Sequence, residues 1–237
     1  MGVGVVRGAR QLVLVRHGAC AHTTLSLPAP VDGTPGTLTE HGWAQARACG
    51  RRLAEAGFEV AAVCASPTER TLRTAELLGL PGEITPCPDL AERDWGTWFA
   101  GAEGKEAAER HARARELMRA DPWGWRPQGG ESLREVRDRV GAWVTAALTG
   151  LSSGALVAVS HGEAILAARM VLEHSWRAHP LALPQGPGHA LPHGGALVYR
   201  FAPGAAVPGH RRLIADPLAP ADGRAGADWQ RLSGNRG

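Results

Sequence analysis

Residues 11–18, Gln-Leu-Val-Leu-Val-Arg-His-Gly, join a short apolar run to a charged end that contains glycine. The run Gln11 to Val15 lacks polar alternation, which is typical of a strand buried on both faces of a parallel sheet. Two later runs have the same character, Val60 to Ala65 and Ala155 to Ser160, and Ala196 to Phe201 favours a further strand. The chain therefore contains several buried strands.

Helical patterns separate these strands. Thr39 is a suitable N-cap for a helix that ends near Gly57, a suitable C′ residue. Ser66 and Pro67 predict the N-cap and first residue of a second helix, which reaches about Leu78. The remaining helical patterns lie at 102–119, 131–148 and 163–174. This alternation predicts an α/β fold, a three-layer α/β/α sandwich with a mostly parallel central sheet.

Length and composition predict one domain with its own core. The chain has 237 residues, of which 44% are hydrophobic and 21% are charged. We expect this domain to cover residues 1–216, with a helical insert at about 98–130. Beyond Pro203 only the segment 212–215, Arg-Leu-Ile-Ala, could extend the sheet. Residues 217–237 are rich in Pro, Gly and Ala, which predicts a mobile tail.

Charge, cysteine and hydropathy patterns exclude several classes of protein. The 26 basic and 23 acidic residues are interspersed, so no nucleic-acid partner is expected. No window approaches 18 consecutive apolar residues, so no membrane partner is expected. The four cysteines form no C-x-x-C pair, which favours a reducing, cytoplasmic location without a metal site or cofactor. The sequence leaves the oligomeric state open.

Two His-Gly dipeptides follow predicted strands, His17-Gly18 and His161-Gly162. Ligands of parallel sheets bind at the carboxyl ends of the strands, where both dipeptides would lie. A single histidine in such a place is more often a cap or a packed imidazole. Two at matching positions, one of them preceded by Arg16, indicate a shared site.

Arg70 is expected at the same edge, in the first turn of the helix after Ser66. A helix N-terminus favours anions through its free N–H groups and dipole. A guanidinium group there matches phosphate oxygens in bidentate geometry. Arg73 could instead pair with Glu69 or Glu76 on the surface. The pattern predicts a phosphate-binding site that uses Arg70.

These residues occur in an order that resembles the histidine phosphatase superfamily, the phosphoglycerate-mutase-like proteins named for an Arg-His-Gly motif. The resemblance extends from Leu12 to about Phe201. The matching segments are Arg16-His17-Gly18; Leu38-Thr39-Glu40-x-Gly42-x-x-Gln45-Ala46; Ser66-x-x-x-Arg70-x-x-x-Thr74-Ala75; Leu90-x-Glu92-x-x-x-Gly96-x-Trp98; Gly130-Glu131-Ser132; and Ser160-His161-Gly162. Six segments in register make the resemblance specific.

The resemblance implies a catalytic role for five residues. His17 would attack the phosphoryl group and become a phosphohistidine. Arg16, Arg70 and His161 would surround the phosphoryl oxygens, and Glu92 would protonate the leaving group. The implied substrate-binding residues are Arg16, Gly18, Thr23, Arg70, His161 and Gly162.

Some positions leave alternatives open. Glu92 could be only a surface partner of Arg93, and Glu131 only a carboxylate at a helix N-terminus. The chain has Ala19 and Cys20 where the family usually has other residues, and Cys20 is either redox-sensitive or an inert thiol. Four tryptophans either form a lid over the pocket or pack the helical insert against the sheet; they are Trp95, Trp98, Trp123 and Trp125.

The insert favours a phosphatase over a mutase. The family's mutases carry a consecutive Arg pair there, whereas residues 101–130 contain none. The basic residues from Lys105 to Arg115 fall among glutamates at helical spacing, which predicts solvated ion pairs. We therefore expect a metal-independent phosphomonoesterase that acts on a small intracellular phosphate ester. A phosphoglycerate-type mutase and a non-catalytic phosphate-binding protein are the alternatives.

Overall fold

A seven-stranded sheet forms the centre of the part of the chain that the structure describes. The structure is a computed structural model that describes residues 9–20, 36–102, 104–173, 191–214, 218 and 229–231. The strands are β1 (Arg10–Arg16), β2 (Val60–Ala65), β3 (Ile84–Pro86), β4 (Gly154–Ser160), β5 (Ala196–Phe201), β6 (His210–Ile214) and β7 (Trp229–Arg231). Their order across the sheet is β3-β2-β4-β1-β5-β6-β7.

The sheet combines a parallel half with an antiparallel half. Strands β3, β2, β4 and β1 run parallel, with Arg16 of β1 opposite Ser160 of β4. Strand β5 runs antiparallel to β1, placing Ala196 opposite Val15, and β6 and β7 continue in antiparallel pairing. The start of β5 therefore lies at the same edge as the end of β1. This direction reversal brings a fourth chain segment to the edge where the predicted site lies.

Five α-helices connect or flank these strands within the described residues. They are α1 (Glu40–Glu55), α2 (Glu69–Leu77), α3 (Gly104–Ala120), α4 (Leu133–Gly150) and α5 (Gly162–Leu172). Thr39 caps α1 by accepting a hydrogen bond from Gly42 N, as predicted. Ser132 and Glu135 form a capping box that starts α4. A short 3₁₀ helix at Pro88–Leu90 leads into Glu92.

Helices cover the sheet on both faces. On one face α1 and α2 pack Cys49, Leu53 and Ala75 against the sheet. On the other face the apolar sides of α4 and α5 pack against it, with Val140 and Ile165 in that second core. The strands β1, β4 and β5 are buried along nearly their whole length, which explains their continuous apolar sequences. The predicted three-layer α/β/α fold is confirmed.

Two local predictions need correction. Helix α2 begins at Glu69 with Thr68 as its N-cap, so the predicted cap at Ser66 is wrong. Ser66 instead continues the path of β2, and its amide donates to Val159 O of the neighbouring strand at 3.0 Å. The segment predicted as a mobile tail contains Trp229–Arg231, which pairs with β6. Apart from Leu218, the rest of residues 217–237 lies outside the described residues.

The insert between β3 and α4 packs largely on itself. Trp98 donates from Nε1 to Arg110 O of α3 at 3.2 Å, and its ring lies 5.4 Å from that of Trp125. Trp95 lies 6.0 Å from Trp125 and 5.2 Å from Phe99, measured between ring centroids. These contacts hold the tryptophans within the insert, and both predicted roles, a lid and packing against the sheet, stay predictions. The predicted solvated ion pairs are present as Lys105–Glu109, Arg110–Glu106 and Arg113–Glu116.

Candidate active site

Backbone hydrogen bonds tie three segments together at one edge of the sheet. His17 N donates to Ser160 O at 3.0 Å, which fixes the loop after β1 to the end of β4. Gly194 N, just before β5, donates to Arg16 O at 3.0 Å, and Arg16 N donates to Gly195 O at 3.0 Å. The side chains that leave these segments are therefore held on a rigid frame.

Helix α1 contacts the loop at residues 17–19 backbone to backbone. A Cβ atom added to Gly18 would lie 2.4 Å from Gly42 O, and one added to Gly42 would lie 2.1 Å from Ala19 O. Such separations do not occur for real Cβ atoms, so both positions require glycine. The loop amides are also bound by side chains: Gly18 N donates to Thr74 Oγ1 at 3.1 Å and Ala19 N donates to Gln45 Oε1 at 2.9 Å.

His17 is buried and oriented by its own loop. Its Nδ1 lies 2.8 Å from Gly18 O. A carbonyl oxygen can only accept, so Nδ1 carries the proton and Nε2 keeps a free lone pair. Burial, followed by the neighbouring His161 and Arg70, lowers the pKa of His17 well below its ordinary value of 6.5. The imidazole is therefore held in its nucleophilic, neutral form.

This environment predicts that His17 stays neutral at mildly acidic pH. At pH 6.5, where an ordinary histidine is half protonated, its Cε1–Hε1 NMR signal is expected at the position of the neutral ring. We would follow that signal by ¹³C-edited NMR between pH 4 and 8, because phosphate esters also titrate near pH 6 and complicate a rate profile. The urea-unfolded chain serves as the control, since its histidines titrate near their ordinary values. A His17 signal that titrated alike in both states would contradict the prediction.

Two arginines supply positive charge beside His17. Arg16 donates from Nη1 to Leu191 O at 2.9 Å, and Arg70 donates from Nη2 to His161 Nδ1 at 3.1 Å. The Nε–H groups of Arg16 and Arg70 are buried and have no hydrogen-bond partner among the described residues. A buried donor costs free energy unless a ligand satisfies it, and both groups remain charged despite burial. The pair is therefore suited to an anion with several oxygen acceptors, such as phosphate.

His161 belongs to the same cluster. Its ring centroid lies 5.2 Å from that of His17. Because Arg70 can only donate to Nδ1, the proton of the neutral ring is on Nε2, which donates to Ser66 Oγ at 2.9 Å. Contact between His161 and phosphoryl oxygens stays a prediction. In this structure both of its ring nitrogens are bound to protein groups.

Glu92 lies at the N-terminus of α5. Its Oε1 accepts hydrogen bonds from Glu163 N at 3.1 Å and Ala164 N at 3.3 Å, and from Arg93 N at 3.2 Å. Arg93 directs its guanidinium group elsewhere, toward Glu131 O and Trp125 O. Glu92 therefore faces the site and is not simply a surface partner of Arg93.

The structure brings most of the predicted site residues together. Within the cluster lie Arg16, His17, Gly18, Arg70, Glu92, His161 and Gly162. Thr23 lies outside the described residues. Cys20 is buried, forms no disulfide bond, and lies close enough to Arg16 and Arg70 to interact with their charges. Neither alternative for Cys20 is tested by this placement.

The structure also shows which residues Glu131 and Arg73 contact. Glu131 binds Arg139 through both carboxylate oxygens, at 3.0 and 2.7 Å, and also accepts from Asp94 N. It therefore links the segment after Glu92 to helix α4. Arg73 pairs with Glu76 at 2.6 Å on the surface, which was one of its two predicted partners.

The sequence reasoning missed His193, whose ring centroid lies 5.3 Å from that of His17. A signal was present, because His193-Gly194 is a third His-Gly dipeptide beside a predicted strand. It precedes β5 instead of following it. Only the antiparallel direction of β5 places it at the same edge as His17.

The described part of the chain contains neither a metal-binding group of side chains nor a membrane-spanning helix. No group of three or more His, Cys, Asp and Glu side chains in it is placed to hold a metal ion. No helix in those residues has the length and apolar character needed to cross a membrane.

Comparisons with known proteins agree with the geometry. The family model described as histidine phosphatase superfamily (branch 1) matches residues 12–189. An acid phosphatase of Mycobacterium tuberculosis (strain ATCC 25618 / H37Rv) is 34% identical over 187 residues, which cover 77% of this chain and 82% of the relative. A 2,3-bisphosphoglycerate-dependent phosphoglycerate mutase of Methylobacterium radiotolerans is 33% identical, over 81% of this chain and 90% of the mutase.

Solved structures show the same architecture. An open reading frame product of M. tuberculosis superposes with a TM-score of 0.62 at 32% identity, covering 89% of this chain and 98% of that one. A mycobacterial glucosyl-3-phosphoglycerate phosphatase in complex with VO3 superposes with a TM-score of 0.67 at 23% identity, covering 89% of this chain and all of that one. At 23% identity, the similarity to the glucosyl-3-phosphoglycerate phosphatase shows only that the two chains share a fold. Together with the acid phosphatase, the comparisons support phosphatase chemistry in this fold.

Proposed function

Since this chain belongs to the histidine phosphatase superfamily, we propose that it is a metal-independent phosphomonoesterase that works through a phosphohistidine on His17. The observation that carries the proposal is the pair of buried, unsatisfied Nε–H groups on Arg16 and Arg70 beside a neutral histidine. An anion with several oxygen acceptors satisfies those donors, and phosphorus bound to the same oxygens comes within reach of the ring.

The first step transfers the phosphoryl group to the enzyme. The lone pair on His17 Nε2 forms a bond to phosphorus while the bond from phosphorus to the ester oxygen breaks. Arg16 and Arg70 stabilise the charge that spreads over the phosphoryl oxygens. Glu92, in its acid form, gives its proton to the departing alkoxide.

The second step releases phosphate. A water molecule attacks the phosphohistidine, its oxygen bonds to phosphorus and the bond from phosphorus to nitrogen breaks. Glu92, now a carboxylate, takes the proton from that water and returns to its acid form. His17 Nε2 recovers its lone pair, so the cycle ends with the starting protonation states.

The insert favours the phosphatase over the mutase alternative. A mutase has to hold a second phosphate, which requires free cations near the first. In the insert, Arg110 and Arg113 pair with glutamates of α3, at 2.6 and 3.0 Å. Arg126 pairs with Glu135 of α4, at 3.1 Å. These cations are already compensated, which supports simple transfer to water.

The proposed substrate is a small phosphate ester in the cytoplasm. All four cysteines lie in the described residues and form no disulfide bond there, in keeping with a reducing compartment. The basic and acidic residues are interspersed along the sequence, with no basic cluster of the kind that binds nucleic acid. We therefore propose that the partner is a small molecule.

The test is hydrolysis of p-nitrophenyl phosphate by the purified protein in the presence of EDTA. We expect turnover that EDTA leaves unchanged and that vanadate inhibits, because vanadate can adopt the five-coordinate geometry of the transition state. Brief mixing with ³²P-labelled substrate, followed by an alkaline quench, is expected to trap a phosphoprotein that acid hydrolyses.

Three results would count against the proposal. Loss of most activity in EDTA would indicate a metal-dependent enzyme. Phosphoryl transfer between positions of 3-phosphoglycerate, stimulated by bisphosphoglycerate, would favour the mutase. Inactivity toward a broad panel of phosphate esters, with phosphate still bound, would favour the non-catalytic alternative.

A further inference from the structure

His193 brings a further imidazole ring into contact with the ring of His17. The two ring centroids lie 5.3 Å apart, and the ring planes are inclined at 49°. Centroid separations of about 4.5–7 Å are typical of aromatic rings in contact. His193 is partly exposed as a residue, but its Nε2 atom is shielded from solvent. The ring therefore lies against the protein, next to the histidine that would attack phosphorus.

The backbone on either side of the Gly194 peptide is tied to the segment that carries His17. Arg16 N donates to Gly195 O at 3.0 Å. In the other direction, Gly194 N donates to Arg16 O at 3.0 Å and to His17 O at 3.2 Å. The residue that follows His193 is thus hydrogen-bonded to the nucleophile's own peptide. Any movement of one ring's backbone relative to the other has to break these bonds.

A tight turn sets the place where the His193 side chain leaves the backbone. Gly195 N donates to Pro192 O at 2.9 Å, which closes a four-residue β-turn. Gly194 has a φ of 70°, the left-handed value found at the third residue of a type II turn. His193 is the second residue of this turn. The direction of its side chain is therefore fixed by a closed turn that is itself bound to β1.

The orientation of the His17 ring determines whether its lone pair can reach phosphorus. The hydrogen bond from Nδ1 to Gly18 O holds one edge of the ring, and a ring held by one hydrogen bond can still tilt about it. His161 contacts the ring edge to face, with its centroid 5.2 Å away. Displacement of a reacting atom by about 1 Å can lower a rate about 100-fold. A second fixed ring beside His17 limits such a displacement.

We propose that His193 is a positioning residue whose ring packs against that of His17 and keeps the His17 Nε2 lone pair directed at the phosphorus of a bound ester. The inference rests on the proposed function and deepens it. Packing needs a flat ring and not a proton of His193, so another flat ring should serve in its place. Burial, His161 and Arg70 lower the pKa of His17 most, and His193 acts in the same direction, which agrees with close contact.

The test measures how fast His17 is phosphorylated in a single turnover, with EDTA present. Excess enzyme is mixed with ³²P-labelled p-nitrophenyl phosphate and quenched in alkali at successive times. His193→Ala is expected to lower the rate constant for phosphoprotein formation about 30-fold, because the His17 ring can then tilt. The Kd for inorganic phosphate, measured by calorimetry, is expected to stay within about threefold, since Arg16 and Arg70 are unchanged.

Two more variants separate packing from hydrogen bonding. His193→Phe keeps a flat ring and is expected to react within about fivefold of the wild-type rate. His193→Gln keeps a hydrogen-bond donor without the ring and is expected to be about as slow as His193→Ala. The order of these two variants decides the question even if His193→Ala does not fold.

His111→Ala is the matched control. His111 also packs its ring against an aromatic ring, that of Phe99, with the centroids 5.1 Å apart, but it lies in the insert. Its removal is expected to leave the rate of phosphoprotein formation unchanged within about twofold.

Three results would overturn the inference. An unchanged rate in His193→Ala would show that His17 is oriented without this ring. A fast His193→Gln and a slow His193→Phe, with phosphate affinity lost in the latter, would show that His193 binds the phosphoryl group directly. Equal losses of rate and of phosphate affinity in all three variants would indicate a role in folding alone.

Failure of the proposed function gives a different result. Wild-type protein would then form no phosphohistidine at all, which removes the reaction that the inference concerns and overturns both. If wild type forms the phosphoprotein and His193→Ala forms it equally fast, the proposed function stands and only the inference falls. Formation in wild type, with slow His193→Ala and fast His193→Phe, supports both.

Discussion

Replacement of His17 by glutamine is expected to lower kcat/KM for p-nitrophenyl phosphate at least about 10⁴-fold. Glutamine can still donate from its amide to Gly18 O, the group that now accepts from His17 Nδ1. It has no nitrogen lone pair that can bond to phosphorus, so the covalent intermediate cannot form. The remaining site would bind phosphate through Arg16 and Arg70 without transferring it.

The His17→Gln measurement needs three readings: the steady-state rate, the amount of trapped phosphoprotein and the affinity for inorganic phosphate. We expect the first two to fall to background while phosphate binding persists within about tenfold. His111→Gln is the matched control, because His111 packs against Phe99 in the insert and not against the site. A phosphoprotein that survived in His17→Gln would place the nucleophile elsewhere.

Replacement of Arg93 by alanine is expected to lower the free energy of unfolding by about 3–5 kcal/mol. The Arg93 side chain is 1% exposed, and its guanidinium group donates to Glu131 O at 2.8 Å and to Trp125 O at 3.0 Å. It also lies over the rings of Trp95 and Trp125, at 4.9 and 5.2 Å from their centroids. Alanine would leave two carbonyl groups without that donor and Glu163 without its neighbouring cation.

Urea unfolding at pH 7, followed by tryptophan fluorescence and by circular dichroism, measures the effect of Arg93→Ala. Arg113→Ala is the control, since Arg113 forms an exposed pair with Glu116, and its expected change is below about 0.5 kcal/mol. Arg93→Lys is expected to recover only part of the loss, because an ammonium group cannot bridge the same acceptors or stack on both rings. A change below about 1 kcal/mol in Arg93→Ala would show that the insert relaxes around the missing side chain.

The candidate site could be predicted where chain order and geometry agree. His17 and His161 each follow a buried strand, and parallel strands end at one edge of a sheet, so proximity followed from the sequence pattern. Arg70 followed from its place in the first turn of a helix at that edge. Its actual helix starts at Glu69, and the site was unaffected because Arg70 remains in the first turn.

Other contacts depend on packing that the sequence does not encode locally. His193 reaches His17 only because β5 runs antiparallel to β1, and strand direction was not predicted. Ser66 carried the signature of a helix cap, yet its hydroxyl accepts from His161, 95 residues away along the chain. Glu163 was predicted only as the start of a helix, although it lies beside Glu92 across a separation of 71 residues.

The contact between Gly18 and Gly42 limits how the sequence around the candidate site can change. Behind His17 the loop and helix α1 meet backbone against backbone, so no side chain can be introduced at either position without moving helix α1. We therefore expect substitutions at residues 18 and 42 to be disfavoured, because any side chain there would meet backbone atoms. New substrate preferences have to arise at other walls. If the proposed function is correct, a chain built this way would change the ester that it accepts more readily than the group that it uses to bind phosphate.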